Sequence, residues 1–559
     1  MSAPTPDFPL GLLAPVDRIF PKLTAEQVAR VAAHGRPRSV HGGEVLVSAG
    51  QEAQSIFVVT TGSIELVRRS RDADETFGTL RPGQFTGETN MLSGRQALVT
   101  LRVGEPGEVI EVKRDALVAL VQTDSELSDI FMRAFILRRV ELISKKIGDA
   151  VLIGSNFCQG TLRVKEFLTR NGHPYTFVDL DGDSGTEGVL ARFGVDPGDV
   201  PVLICRGDVV LRNPTNLQIA ECLGFNEAID EARLRDVLII GAGPAGLAAA
   251  VYAASEGLSV LVVESEAPGG QAGSSSKIEN YLGFPTGISG QELAARALTQ
   301  AEKFGAELMI AKVAKRLSCE RKPYAIEIDG GTRVLAKAVV IATGARYRKL
   351  TAENLMRFEG AGVHYGATPI EAQLCAGEEV VVVGGGNSAG QAAVFLAKTA
   401  KRVHILVRAA GLSESMSRYL IRRIDDNPAI ALLPRTEIVG LEGERSLERV
   451  RWRDNETGTV TTHDIRHVFS MTGAIPCTEW LEGCVALDEA GFIKTGADLS
   501  EEDRAAAHWP LARPPHLLET SLPGVFAVGD VRRGNIKRVA SAVGEGSIAI
   551  TFVHQVIQE

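Results

Sequence analysis

Hydrophobic and polar positions alternate over short stretches in the first part of the chain, up to about residue 146. The segments EVLVSAG, SIFVVTTGSIELVRR, TFGTLRPGQF and ALVTLRVGEPGEVIEVKRDAL predict short strands that are separated by glycine turns. In the segment SELSDIFMRAFILRRVELISKK, Leu127, Phe131 and Ala134 recur at helical spacing and predict a helix. Residues 1–146 are therefore predicted to form a β-rich domain that ends in a helix.

Strand and helix patterns alternate across the second part of the chain, residues 149–225. The segments AVLIGS, YTFVDLD and VPVLICRG predict strands, and TLRVKEFLTRNG, EGVLARFGV and NLQIAECLGF predict helices. Regular alternation of this kind predicts a small α/β domain.

The third part begins near residue 235 and contains two glycine-rich strand–turn–helix units, of which the first is DVLIIGAGPAGLAAAVYAASEGLSVLVVESE. Gly241 permits the tight turn, Gly243 lets the backbone approach a pyrophosphate, and Gly246 lets the helix pack closely on its strand. Glu264 ends the next strand, where a carboxylate accepts hydrogen bonds from a ribose 2′-OH. The full pattern predicts a dinucleotide site at the N-terminus of the helix.

The second unit is EVVVVGGGNSAGQAAVFLAKTAKRVHILVRAAG, in which Gly384, Gly386 and Ala389 fill the three small positions. Arg408 follows the second strand, where the first unit has an acid. An arginine there can pair with a 2′-phosphate, which favours NADPH over NADH. Arg418 is a second candidate for this role, and NADH stays open as an alternative.

Two further strands end at glycines that complete a flavin site. They are VVIATGARYR, with Gly344, and GVFAVGDVRRG, with Gly529 and Asp530, whose carboxylate would face the ribityl chain or pyrophosphate of a flavin. The segment VGEGSIAITFVHQVI then predicts a helix, and its positive N-terminal end can stabilise a reduced, anionic flavin.

Charge and composition exclude several classes of protein. The 559 residues carry a net charge of −9, which argues against a nucleic-acid-binding scaffold, because such domains present a basic patch. No apolar run reaches the roughly 18 residues of a membrane span, and the N-terminus lacks a signal-peptide pattern. The seven cysteines are scattered without close pairs, which is typical of a reducing cytoplasm. We therefore predict a cytoplasmic protein, and no metal site is predicted.

Residues 235–559 resemble the low-molecular-weight thioredoxin reductases of the pyridine nucleotide-disulfide oxidoreductase class. The resemblance rests on GPAGLAAAVYA, PGGQAGSSSKIENYLGFPTGISGQEL, IATGARYRKL, VVVVGGGNSA, SMTGAIPCTEWL and TSLPGVFAVGD. It implies a homodimer in which an NADPH domain (351–476) is inserted into an FAD domain (235–350 and 477–559). It also implies that Gly270, Gln271 and Asn280 contact FAD.

The chain departs from these reductases at their redox-active dithiol, Cys-Ala-Thr-Cys. The same place reads Gly366-Ala367-Thr368-Pro369, so both cysteine positions are lost. Cys375 lies nearby, but a single thiol cannot form the intramolecular disulfide that accepts two electrons. We interpret Cys375 as a buried structural thiol.

The first block resembles cyclic nucleotide-binding domains, on HGGEVLVSAGQEAQSIFVVTTGSIELV and on a phosphate cassette, GQFTGETNMLSGRQALVTLR. By this resemblance Glu88 takes the ribose 2′-OH, Arg95 pairs with the cyclic phosphate, and backbone N–H groups near Gly87 contribute. The run between Glu88 and Arg95 is slightly shorter than in the family, and no proline precedes Arg95. A module for dimerisation or docking is the alternative.

The second block resembles glutaredoxins, on SNFCQGTLRVKEFLTRNGHPYTFVDLD. Cys158 falls on the nucleophilic cysteine and Thr161 on the resolving one, and Val200-Pro201 stands where that fold has a cis-proline. A thiol at a helix N-terminus has a lowered pKa, because the helix dipole favours the thiolate. Cys158 is thus the candidate catalytic residue, with a thiol that only packs the domain as the alternative.

The predicted fold is a multidomain α/β protein: a β-roll, a thioredoxin- or glutaredoxin-like domain, and two Rossmann-like domains for FAD and NAD(P)H. The predicted function is an FAD-dependent NADPH oxidoreductase, thioredoxin reductase-like, with a cyclic nucleotide as candidate effector. Its electron acceptor stays open between Cys158, a thioredoxin-like protein, a quinone and oxygen. The alternative is a sensor that binds FAD and NAD(P)H with little turnover.

Overall fold

The structure is a computed structural model, and it describes residues 14–559 except 53, 70–73, 149, 157, 181–199, 207–208, 276, 321, 360, 368, 414, 445 and 482. The predicted helix EGVLARFGV lies outside the described residues. Within the described part, no helix is long and apolar enough to cross a membrane.

The front unit (14–147) is a roll of two antiparallel sheets, closed by a long helix. One sheet has the order β1-β7-β3 and the other β2-β6-β4-β5. Phe85, Phe131 and Phe135 pack edge to face between the roll and the long helix, which explains the helical spacing of apolar residues there. The strands are β1 Arg36–Val40, β2 Val45–Val47, β3 Ser55–Val59, β4 Ile64–Arg69, β5 Asp74–Leu80, β6 Thr100–Val103 and β7 Gly107–Lys113. The helices are α1 Val16–Ile19, α2 Ala25–Ala32, α3 Asn90–Ser93, α4 Arg114–Thr123 and α5 Ser125–Ser144.

The middle unit (150–225) is a four-stranded sheet with the order β11-β10-β8-β9. β8 and β9 are parallel, and β10 is antiparallel to both β8 and β11. The hairpin strand β11 is missing from the sequence prediction, because its short segment VVLR directly follows another apolar strand. The elements are β8 Ala150–Gly154, α6 Gln159–Arg170, β9 Tyr175–Asp179, β10 Val202–Cys205, β11 Val209–Arg212 and α7 Asn216–Cys222.

The outer unit starts at β12 and is built on a sheet with the order β14-β13-β12-β17-β16-β15. β12 is parallel to β13 and β17, and both of its faces are buried, which explains the unbroken apolar run VLII. Its first elements are β12 Leu234–Ile240, α8 Pro244–Ser255, β13 Val260–Glu264, α9 Gly270–Gly273, α10 Gly290–Lys303, β14 Glu307–Ile310, β15 Ala314–Ser318, β16 Tyr324–Ile328, β17 Arg333–Ile341 and β18 Ala345–Tyr347.

The inserted dinucleotide unit follows β18 and has a parallel sheet with the order β19-β26-β20-β21-β22, beside an antiparallel sheet β23-β24-β25. Its elements are α11 Leu355–Phe358, β19 Val363–His364, α12 Pro369–Leu374, β20 Glu379–Val383, α13 Asn387–Leu396, β21 Arg402–Leu406, α14 Arg418–Asp425, β22 Ile430–Leu433, β23 Thr436–Glu442, β24 Arg449–Asp454, β25 Val460–His463 and β26 His467–Ser470.

The chain returns to the outer unit through β27 Ala474–Pro476, which pairs with β18 as a two-stranded connection between the two dinucleotide units. The last elements are α15 Glu501–Ala506, β28 Val525–Ala527, which pairs with β17, and α16 Val539–Gln558. The sequence predicts that the last helix begins at Val543, but α16 begins at Val539. Because the helix is four residues longer at this end, its N-terminus lies at the wall of the large cavity described below.

Candidate active site

Both glycine-rich turns open into one cavity of about 2200 Å³, which the outer, inserted and middle units line together. Such a volume exceeds the roughly 300–1,000 Å³ of an ordinary small-molecule pocket. It is therefore large enough for two extended ligands.

The first turn, at the start of α8, requires its glycines on steric grounds. Gly241 has φ of +104°, and a Cβ there would lie 2.3 Å from the carbonyl oxygen of Ala342. A Cβ on Gly246 would lie 1.9 Å from the carbonyl oxygen of Gly241. At Gly243, by contrast, the nearest atom to a Cβ is Gly270 Cα at 3.9 Å, so this position leaves open space beside the cavity.

Glu264 lies at the end of β13 and stabilises this turn through hydrogen bonds. Its carboxylate accepts a hydrogen bond from the backbone N–H of Ala242 at 2.7 Å and one from Glu266 at 2.9 Å. Burial raises the pKa of Glu264, and the two amide donors act against that shift. The carboxylate also lines the cavity, where its remaining lone pairs can accept from a ribose hydroxyl.

The other residues that the sequence predicts for the flavin also line this cavity. The Gln271 side chain donates to the carbonyl oxygen of Ala345, and burial raises the pKa of Asp530. The N-terminus of α16 lies at the same wall, with Arg538 and Val539. The predicted residues brought together here are Gly241, Gly243, Glu264, Gly270, Gln271, Asn280, Gly344, Gly529 and Asp530.

The second turn, at the start of α13, lines the same cavity with Gly384 and Gly386. Ala389 is fully buried within α13 and packs in the core of the inserted unit. Arg408 follows β21, is exposed and lines the cavity. Arg418, at the start of α14, is not among the described residues that line it.

The segment in place of the dithiol also reaches the cavity. Gly366 lines it, and a Cβ on Gly366 would lie 4.0 Å from Ser274 Cβ. Thr368 and the Pro369 side chain lie outside the described residues. Cys375 is fully buried, and burial raises its pKa to about 11.

The middle unit presents α6, with Cys158 at its N-cap, to the same cavity. Cys158 is half-buried, and the residues that follow it, Gln159 and Gly160, line the cavity wall. The Val200-Pro201 peptide is cis, as the resemblance implies, and a Cβ on Gly160 would lie 2.8 Å from Pro201 Cδ. The start of α6 therefore faces the cavity, although Cys158 itself is not among the described residues that line it.

Arg163 and Arg170 also face the cavity from α6. Burial lowers the pKa of Arg163, and the neighbouring Cys158 opposes that shift. Arg170 donates to the carbonyl oxygens of Gly270 at 2.9 Å and Ala267 at 3.2 Å. The middle unit is thus hydrogen-bonded to the loop that carries the predicted flavin contacts.

The front unit has its own, smaller cavity of about 90 Å³, which Gly87 and Glu88 line. Arg95, for which the resemblance implies a pairing with the cyclic phosphate, is not among the described residues that line it. Arg95 is buried, and its guanidinium lies 5.5 Å from the centre of the Phe225 ring in the middle unit. The reason is that Arg95 packs against the middle unit, and the sequence pattern of the cassette carries no information about contacts with other units.

Helix α5 supplies two arginines that the sequence reasoning missed. Arg138 lines the front cavity and donates to the carbonyl oxygens of Ile19 at 2.9 Å and Gly87 at 2.8 Å. Arg139 pairs with Glu88 at 3.4 Å. Neither arginine belongs to a sequence motif, although both lie on the helix that the sequence predicts at the end of the front domain.

Two of the seven cysteines are paired, although no two cysteines lie close together in the sequence. A disulfide joins Cys319 to Cys484, with the Cα atoms 5.7 Å apart and 165 residues between them in sequence. The free cysteines include Cys477, which lines the central cavity.

Comparison with known proteins places these features in a family. Residues 235–546 match the pyridine nucleotide-disulphide oxidoreductase family, and residues 37–124 match the cyclic nucleotide-binding domain. Thioredoxin reductase of Bacillus subtilis is 33% identical over 332 residues, 59% of this chain and 97% of that protein. Thioredoxin reductase of Mycolicibacterium smegmatis is 34% identical over 317 residues, 56% of this chain and 94% of that protein.

Solved structures agree with these relatives. Thioredoxin reductase of Lactococcus lactis has a TM-score of 0.52 at 28% identity, over 58% of this chain and 99% of that one. The T. acidophilum enzyme has a TM-score of 0.51 at 30% identity, over 58% and 98%. With the shared cavity and its two glycine turns, these matches show that the chain belongs to the pyridine nucleotide-disulphide oxidoreductase family and carries a cyclic nucleotide-binding domain near its N-terminus.

Proposed function

We propose that this protein is an FAD-dependent NADPH oxidoreductase that delivers electrons to a disulfide at Cys158 instead of to a dithiol in its inserted unit. The observation that carries the proposal is the shared cavity, which both glycine turns line together with the start of the Cys158 helix. The loss of cysteine at positions 366 and 369 requires that a thiol route, if used, lies elsewhere.

The residues of the outer unit fit FAD. Gly243 leaves room for a pyrophosphate, the start of α8 offers unpaired N–H groups and the positive end of its dipole, and Glu264 is placed for the ribose. When bound, FAD would supply two-electron chemistry between a nicotinamide and a disulfide.

The inserted unit fits a nicotinamide dinucleotide, with Gly384 and Gly386 at the phosphates. Arg408 is exposed at the cavity wall, where its guanidinium can form a bidentate pair with a 2′-phosphate. We therefore propose NADPH as the preferred donor.

The middle unit would act as a glutaredoxin-like domain that accepts electrons within the chain. Cys158 is the N-cap of α6, and the next two residues of this helix line the cavity. A mixed disulfide between Cys158 and a low-molecular-weight thiol would accept two electrons and two protons. Its S–S bond would break to give the Cys158 thiol and the free small thiol.

An anaerobic NADPH titration after oxidation with glutathione disulfide tests this proposal. Wild-type protein is expected to take up about two electrons per FAD more than Cys158→Ser, because the variant lacks the mixed disulfide, whereas the flavin and the Cys319–Cys484 disulfide are common to both. Cys375→Ser is the matched control, since its thiol is fully buried, and it should behave as wild type. NADH in a parallel titration should reduce the flavin more slowly.

Equal electron uptake by wild type and Cys158→Ser would contradict the Cys158 route. The acceptor would then be an external disulfide protein, a quinone or oxygen, and a search among these would follow. If NADPH and NADH both fail to bleach the flavin at useful rates, the protein is better described as a sensor than as an oxidoreductase.

Two further parts of the proposal concern regulation and assembly. We propose that the front unit binds a cyclic nucleotide effector, since residues 37–124 match that domain. We also propose a homodimer, in keeping with the thioredoxin reductases that the chain resembles. Light scattering measures the assembly, and a monomer at micromolar concentration would contradict it.

A further inference from the structure

The cassette of the front unit, residues 83–102, is buried against the other units at Arg95. Arg95 is 8% exposed, and Glu302 on α10 of the outer unit is 5% exposed. Burial lowers the pKa of Arg95, and the carboxylates of Glu302 and, to a smaller extent, Glu88 oppose that shift. The Nη2 atom of Arg95 has no hydrogen-bond partner among the residues that the structure describes.

Further contacts hold the cassette and its neighbours in this docked position. Gln122 Nε2, on α4, donates to the carbonyl oxygen of Lys303 at 3.2 Å. Arg114 pairs with Glu227, in the segment between the middle and outer units. Arg206 of the middle unit donates to the side chain of Gln96. The front unit therefore contacts both the middle and the outer units through the cassette and the helix beside it.

The front cavity is too small for a nucleotide while the chain is docked. Its volume of about 90 Å³ compares with roughly 300 Å³ for the smallest ordinary ligand pockets. Leu142 and Ile147, at and beyond the end of α5, occupy part of its wall, and Arg138 ties α5 to the backbone of Gly87. The cassette and α5 would have to move apart before a cyclic nucleotide could enter.

Helix α10 connects this junction to the predicted flavin loop. Glu302 lies in its last turn, and at its first residue the N–H of Gly290 donates to the carbonyl oxygen of Ser275 at 2.8 Å. Gln291 donates to the carbonyl oxygen of Thr169 in the middle unit at 2.8 Å. The 14 residues of α10 extend over about 21 Å. One rigid element thus contacts the cassette at one end and the flavin loop at the other.

We propose that Arg95 has two mutually exclusive partners: the Glu302 side of the outer unit when the chain is docked, and the phosphate of a cyclic nucleotide when it is undocked. One guanidinium cannot serve both at once, because Arg95 in the docked chain is buried against the Phe225 ring and does not line the front cavity. Ligand binding and docking therefore oppose each other, and the ligand releases the C-terminal end of α10. This inference rests on the effector role proposed above for the front unit.

Thermodynamic linkage sets the direction of the expected effects. The apparent affinity for the nucleotide is reduced by the fraction of chains that are docked, so a variant that undocks the chain binds more tightly. Glu302→Lys places a cation against Arg95, and Glu227→Lys places one against Arg114. Glu292→Lys makes the same charge change on an exposed position of α10 and is the matched control.

Calorimetric titration of the full chain with cAMP and with cGMP tests the inference. Glu302→Lys and Glu227→Lys are expected to bind at least about fivefold more tightly than wild type, and Glu292→Lys equally well. Glu227 is exposed, so its variant keeps the test valid if lysine at the buried position 302 prevents folding. Equal affinities in wild type and both undocking variants would overturn the inference.

Hydrogen exchange supplies a second readout that does not depend on turnover. Saturating nucleotide should speed the exchange of α10 amides in wild type and have little further effect in Glu302→Lys. Unchanged exchange in the wild type would overturn the coupling while leaving the effector role intact. Absence of binding in every variant would overturn both, and NADPH bleaching of the same samples reports separately on the oxidoreductase assignment.

Discussion

Cys375 is the cysteine closest in sequence to the position where the reductases carry their dithiol, yet its side chain packs in the core of the inserted unit. With a pKa of about 11, only about a thousandth of this thiol is ionised at pH 8. Cys158, by contrast, is half-buried at a helix N-terminus beside the cavity.

We expect iodoacetamide at pH 8 to modify Cys158 in the folded protein and to leave Cys375 unmodified, because burial removes both access and thiolate. Mass spectrometry of peptides from native and urea-unfolded samples measures this difference. Labelling of Cys375 in the native protein at the rate seen for Cys158 would contradict the structural role of Cys375.

At the scale of elements, α8 and α16 pack closely against each other in the outer unit, and small residues allow this contact. A Cβ on Gly546 would lie 2.2 Å from the carbonyl oxygen of Ala245. A Cβ on Gly544, in the same helix, would meet nothing within 4 Å. The two glycines are therefore a matched pair, one required by packing and one not.

Gly546→Ala is expected to destabilise the outer unit by about 1–3 kcal/mol, since the added methyl group forces the two helices apart. Gly544→Ala should leave stability unchanged or raise it by up to about 1 kcal/mol through its better helix propensity. Thermal unfolding followed by flavin fluorescence compares the two. Equal midpoints would show that α8 and α16 do not pack as described.

At the scale of the whole molecule, the junction between the front and outer units is sensitive to pH. Burial raises the pKa of Glu302 to about 7, against the attraction of Arg95, Arg139 and Arg114, while Glu88 adds to the increase. In an undocked chain Glu302 would be exposed and would return toward its ordinary value near 4.5. The docked chain therefore binds this proton more tightly than the undocked chain.

It follows that the contribution of Glu302 to docking is fully present below about pH 4.5 and is lost as the pH rises through about 7. After correction for intrinsic exchange rates, α10 amides should be better protected at pH 6 than at pH 8. Glu302→Gln should remove this difference, because glutamine does not titrate, while the exposed-site control Glu292→Gln should retain it. A difference that survives in Glu302→Gln would place the titrating group elsewhere.

The conformation of the two glycine-rich turns could be predicted from the sequence alone, because it is encoded in consecutive residues. Gly241 must adopt positive φ and Gly246 must allow close packing, and both requirements are local. The alternating strands of the front unit and the long helix α5 were predictable for the same reason, since a buried face imposes a period on the chain.

The tertiary structure alone decided which distant groups meet. Cys319 and Cys484 pair across 165 residues, and Arg95 turns from the front cavity toward another unit. The opening of the Cys158 helix into the cavity of both turns likewise depends on how the middle unit packs. Local sequence sets backbone conformation and burial pattern, whereas contacts between units depend on complementary surfaces that no single segment contains.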